Sequence, residues 1–302
     1  MRTRIVMLAL VAAGVLTVTA APSTFAQKSA APPLSPELQA TLDDIQQTLG
    51  SVPTFLQQFP PQALPGAWRI MKQLQLSPTT AIPGKYKELI GLAVAAQIPC
   101  SYCIYFHTEA AKLNGASETE IHEAIAMASL TRMYSTVLNG EGQEMGSYRE
   151  EIQKAVQHAQ AGGAPPPDID VTDAASADQD VQATFGFLPS FMKAVPESFA
   201  PGAWLEMKDF EMNPETAIPN KYKSLISLAV SSQIPCAYCV YSDKEFSRLD
   251  GATDEEIEEA IAMAAVTRHW STFLNGAQID PATFHKEADA IMKHFRESTA
   301  GK

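Results

Sequence analysis

The chain repeats itself at a fixed offset of 136 residues, and this constrains its fold more than any other feature of the sequence. Residues 81–103, "AIPGKYKELIGLAVAAQIPCSYC", align without a gap on 217–239, "AIPNKYKSLISLAVSSQIPCAYC", with 17 identities in 23 positions. The match extends on both sides. "PGAW" begins at Pro65 and again at Pro201, Pro53 and Pro60 match Pro189 and Pro196, and "EAIAMA" begins at Glu123 and at Glu259. Self-similarity at this period predicts two copies of one structural unit. We set them at residues 35–160 and 179–302, joined by an Ala-, Gly- and Pro-rich linker over 161–178 with little to bury.

Helix signals occur throughout both copies. Ser35-Pro36 starts an amphipathic helix, and Pro83 starts the apolar one containing "KELIGLAVAAQ". Ser117-x-x-Glu120 is a capping box before a helix expected to end on Gly140. Pro219, Thr253-x-x-Glu256 and Gly276 repeat these signals. No run of alternating β-branched residues bounded by turns is present, so the fold class is all-α. The Ala- and Met-rich helices read as closely packing surfaces rather than as the lining of a cofactor site.

Met1–Ala26 has the layout of a cleavable signal peptide: two arginines, an apolar run from Ile5 to Ala21, then small residues up to Ala26. Its removal leaves 20 basic against 34 acidic side chains, a formal charge of −14, which would repel a phosphate backbone. The expected setting is the periplasm or the extracellular space, without nucleic acid and, after cleavage, without a membrane. Disulfides persist there.

All four cysteines lie in the two repeated turns, Cys100 and Cys103, then Cys236 and Cys239. A Cys-x-x-Cys bridge closes too short a loop to stabilise much and is easily reduced, which favours redox work over a static bridge. Zinc is disfavoured because 132 residues separate Cys103 from Cys236, against ~15 to 20 between the pairs of a ribbon-type site. Covalent haem requires His directly after the second cysteine, where this chain has Ile104 and Val240. A thioredoxin-like fold requires flanking strands. No metal, haem, flavin or nucleotide is indicated, and no Gly-rich phosphate loop is present.

Pro99 and Pro235 place each pair at the start of a helix, where unpaired N–H groups and the helix dipole favour thiolate at either sulfur. His107 follows Cys103 by one helical turn and lies on its face. Glu88 sits on the preceding helix and can fold back towards the pair. These residues alone do not decide which cysteine is the nucleophile. In the second copy Ser224 replaces Glu88 and Asp243 replaces His107. A carboxylate one turn from Cys239 opposes a thiolate and holds a proton at neutral pH only if its pKa is raised. The second copy therefore reads as an altered site, with His269, in place of Met133, as a candidate compensating residue. His122, His158, His285 and His294 have no partner at a telling spacing.

Glu88, Cys100, Cys103 and His107 at their joint spacing resemble the signature of the AhpD-like alkylhydroperoxidases in the carboxymuconolactone decarboxylase superfamily. Each repeat is similar to one such all-helical domain. The resemblance implies a peroxidase in which Cys103 attacks a hydroperoxide, Cys100 resolves the sulfenic acid as a disulfide, and His107 and Glu88, with water, move the protons. It also implies a homo-oligomer, a trimer of two-domain chains in place of six single domains. The thiol that supplies electrons is unknown from the sequence. The motif argues against lactone decarboxylation, because that branch does not use the cysteine pair. Two other readings use the same cysteines: a periplasmic protein disulfide oxidoreductase, and a non-catalytic assembly module with static bridges.

Overall fold

The computed structural model describes residues 34–162, 167–193 and 195–300; the expected signal peptide lies outside them. The first repeat comprises α1 (Pro36–Leu49), α2 (Thr54–Gln57), α3 (Leu64–Ile70), α4 (Gly84–Gln97), α5 (Ser101–Leu113), α6 (Glu118–Glu141) and α7 (Met145–Ala161). The second comprises α8 (Ala174–Phe185), α9 (Ser190–Lys193), α10 (Ala200–Glu206), α11 (Asn220–Gln233), α12 (Ala237–Leu249), α13 (Asp254–Gly276) and α14 (Pro281–Ala300). A π-helical turn continues α3 over Met71–Gln75 and α10 over Met207–Glu211. No strand occurs among the described residues, and the fold is all-α in two tandem copies.

The start signals act as their chemistry requires. Ser35 accepts the Leu38 N–H ahead of Pro36, and Ser117 with Glu120 and Thr253 with Glu256 close reciprocal capping boxes. Two boundaries differ from expectation. Helix α6 passes Gly140 and ends at Glu141, because Gly142 is the residue that takes the left-handed conformation, with φ +64°. Helix α8 starts at Ala174, inside the expected linker, because Asp173 caps it by accepting the Ser176 N–H.

The repeats interlock. Helices α4, α6, α11 and α13 form the centre, where small residues let the backbones approach: Ala93, Ala124 and Ala128 meet Ala229, Ala260 and Ala264, with Met127 and Met263 filling the remaining space. Tyr86 and Tyr222 stack with ring centroids 3.4 Å apart. Glu123 accepts the backbone N–H groups of Ala217 and Ile218 at 2.9 and 2.7 Å, and Glu259 accepts those of Ala81 and Ile82 at 2.8 and 2.7 Å. Each glutamate thus ties the other repeat's turn.

The terminal helices are exchanged as well. Helix α14 covers α5, where Tyr102 donates to the Ile279 carbonyl, and α7 covers α12, where Tyr238 donates to the Gln143 carbonyl. Consequently all three apolar cores draw residues from both repeats, and residues 35–302 form one compact unit.

Candidate active site

Helix α4 stops at Gln97, and Cys100 becomes the N-cap of α5. An N-cap side chain faces the orphan N–H groups of the first turn, so the Cys100 sulfur accepts the Cys103 N–H at 3.3 Å. A second donor comes from the other repeat: Asn275 on α13 places its amide 3.4 Å from the same sulfur, and Ser271, one turn earlier, also bonds to it. Cys100 and Cys103 are free thiols, 0% and 4% exposed.

The Cys103 thiol donating to Cys100, together with the Ser271 and Asn275 donors, draws the Cys100 pKa down to about 5 against the opposing effect of burial. Cys103 is pushed upward, because it supplies that hydrogen bond and lies beside the resulting anion. Both shifts make Cys100 the more acidic thiol of the pair.

Glu88, which the spacing alone left unplaced, meets His107. Both are buried, at 3% and 5% exposure, and His107 Nδ1 lies 2.7 Å from Glu88 Oε2. Gln75, the last residue of the π-turn, donates to the same carboxylate at 3.3 Å, and Thr267 on α13 faces His107 Nε2 at 3.4 Å. No hydrogen bond joins the imidazole to Cys103 among the described residues. A cavity of about 40 Å³ adjoins His107, walled by Phe55, Met71, Phe106 and Trp270.

The second turn repeats the scaffold with other chemistry. Cys236 and Cys239 are joined as a disulfide, with their Cα atoms 5.3 Å apart, and Asn139 on α6 donates to the Cys236 sulfur at 3.4 Å. Ser224 donates to Asp250 at 2.6 Å. Burial holds the Asp243 carboxyl well above the usual carboxylate range and pushes Glu211 up to about 7. The candidate His269 is exposed on α13 and packs its ring on Phe59 of the first repeat.

The remaining histidines have structural surroundings. His158 and His294 lie against the left-handed glycines Gly186 and Gly50, His285 stacks on Tyr105, and His122 is exposed. Among the described residues, no group of three or more His, Cys, Asp or Glu is arranged to hold a metal, and no helix is long and apolar enough to cross a membrane.

The sequence reading missed Gln75, Thr267, Ser271 and Asn275. A signal for the last three was present. Thr131, Ser135 and Asn139 recur as Thr267, Ser271 and Asn275, four residues apart on one helical face, within the repeated "TR..ST.LNG". Each such stripe serves the cysteines of the opposite repeat, a crossing that the linear sequence does not express.

The comparisons agree with this architecture. The model of the carboxymuconolactone decarboxylase family matches residues 62–139 and again 200–279, together just over half of the chain. A crystal structure from Burkholderia xenovorans LB400, named as a gamma-carboxymuconolactone decarboxylase subunit, superposes with a TM-score of 0.52 over 88% of this chain and 100% of its own, at 15% identity, a likeness of fold. No curated protein matches the chain. With the family domain matched in both repeats and a redox-capable cysteine pair in each, the chain belongs to the carboxymuconolactone decarboxylase family.

Proposed function

We propose that the protein is an exported thiol-dependent peroxidase that reduces hydroperoxides at the first repeat. The observation that carries this reading is the buried Glu88–His107 pair, in the same repeat as a buried, free Cys100–Cys103 dithiol whose acidity is raised at Cys100. Buried ionisable groups tuned by their neighbours are what proton-coupled chemistry requires.

In this reading Cys103 attacks the distal peroxide oxygen as its proton passes to the Cys100 thiolate. The O–O bond breaks, and the leaving alkoxide takes a proton from the His107–Glu88 pair. The Cys103 sulfenic acid then condenses with the Cys100 thiol, forming the disulfide and releasing water. The monoanionic dithiol, the hydroperoxide and one proton thereby give a disulfide, an alcohol and water. An external thiol reduces the disulfide for the next turnover.

Burial of both sulfurs favours a small hydroperoxide over a protein thiol, which must bring its own sulfur into line with the pair. The signal-like amino terminus supports placement in the periplasm or outside the cell. Interlocked repeats support one chain standing for two subunits, so that three chains complete a six-domain ring; light scattering giving a monomer would count against that assembly. The central test is peroxide consumption with several thiol donors by the parent, Cys103→Ser, and a variant with both second-repeat cysteines replaced by serine. Activity should vanish in the first variant and persist in the second. An undiminished rate in Cys103→Ser refutes the reading.

A further inference from the structure

The altered second site contains more open space than the intact first one. A cavity of about 220 Å³ lies beside Cys239, against about 40 Å³ beside His107. Three substitutions between the repeats give it its character: Gln75, His107 and Asn114 are matched by Glu211, Asp243 and Asp250, all three of which line the cavity. The ammonium of Lys223 donates to the Phe210 and Asn213 carbonyls and the Thr216 hydroxyl, and acts on Glu211 and Asp250 only through space, without a salt bridge to any of the three carboxyls among the described residues.

Three lining atoms are buried with no hydrogen-bond partner: Asp243 Oδ2, Asn220 Oδ1 and Thr184 Oγ1. All can accept, and buried acceptors left unmade are costly. The rest of the wall is apolar and aromatic, including Tyr134, Tyr148, Phe185, Phe191 and Phe246. An occupant that satisfies the oxygens must donate hydrogen bonds. A cationic head would draw these burial-raised carboxyls towards their ionised form, and a mostly apolar body would fill the aromatic remainder, whose ring faces themselves attract a cation.

We propose that this cavity binds a small organic ammonium ion with an apolar body, its charged head directed at Asp243 and Glu211. The site would make the second repeat a ligand-binding module, independent of whether the first repeat reduces peroxides.

Isothermal titration calorimetry on the full chain, with the Cys236–Cys239 bridge intact, tests the proposal without reading redox activity. The probes are 2-phenylethylammonium, the near-isosteric alcohol 2-phenylethanol, and phenylacetate. The ammonium should bind at least about tenfold more tightly than the alcohol, a difference of ~1.4 kcal/mol, and phenylacetate should give no binding heat. Asp243→Asn should weaken the ammonium by about tenfold or more and leave the alcohol unchanged, with Glu211→Gln as the parallel variant if the first fails to fold. Ala155→Phe, which fills the cavity from its wall, should abolish binding of every probe. Absence of ammonium binding, equal binding of the alcohol or the carboxylate, or full affinity in a folded carboxyl variant would overturn the assignment.

Discussion

Gly91 and His107 share one space: a Cβ on Gly91 would overlap the imidazole. The equivalent position in the second repeat is Ser227, whose hydroxyl lies 2.7 Å from Thr131. Thr131 is in turn the counterpart of Thr267, which faces His107 Nε2. The second repeat therefore uses a serine hydroxyl where the first uses an imidazole, and the loss of His107 and the gain of a side chain at 227 are two parts of one exchange.

Gly91→Ala should accordingly cost about 1–3 kcal/mol by overpacking and displace the imidazole from Glu88, lowering any peroxide turnover. In a His107→Ala background the same substitution should cost far less, because the obstructing ring is gone. Urea denaturation of both single variants and the double variant measures the coupling. Strictly additive losses would show that the glycine is not there for the histidine.

Asn275 should set the acidity of Cys100 from across the repeat boundary. Its amide donates to the sulfur, and a hydrogen bond to a charged acceptor contributes ~1.5 kcal/mol or more, about one pKa unit. Thiolate absorbance of the reduced protein should titrate near 5. In Asn275→Leu the midpoint should rise by about one unit. An unmoved midpoint would mean that the amide does not stabilise the anion.

The helices and their caps were legible because each depends on local spacing, whereas the meeting of Glu88 with His107 depends on how the chain folds back at Pro99, which spacing does not fix. Ownership of the sites was not legible. Asn275 lies far along the chain from Cys100, and only packing of α13 against α4 and α5 brings them together. The difference in acidity between the two cysteines escaped prediction for a related reason. Position relative to a helix start favours both sulfurs, whereas Asn275, arriving from another element, donates to Cys100. Nor does the sequence show that the second repeat holds the larger of these two cavities, since volume depends on what the neighbours leave unfilled.

The interlocked core predicts that neither repeat is stable alone. Each terminal helix covers the other repeat's cysteine helix, so a fragment ending at Ala161 would expose apolar surface on α4, α6 and α7 together. The full chain should unfold in one cooperative transition. Glu259→Ala leaves the Ala81 and Ile82 N–H groups without their acceptor, at a cost of roughly 1–3 kcal/mol per group, and should lower the midpoint without dividing the transition. Two separated transitions by circular dichroism and calorimetry would instead mark independent domains.

Glu211 gives the fold a pH dependence whose sign follows from its environment. Burial raises its pKa from the ordinary 4.5 to about 7, so between those values the native state holds a proton that the unfolded chain has released. Stability from this group is therefore full below about pH 4.5, falls as pH rises, and levels off above about pH 7. Glu211→Gln keeps the shape and removes the titration. The variant should match the parent near pH 4 and exceed it at pH 8 by on the order of 2 kcal/mol, somewhat less than the full shift would give. Denaturation midpoints of both proteins at the two pH values check this. A gain of equal size at both would assign the effect to packing, and a loss at pH 8 would show that the ionised carboxylate has a stabilising partner.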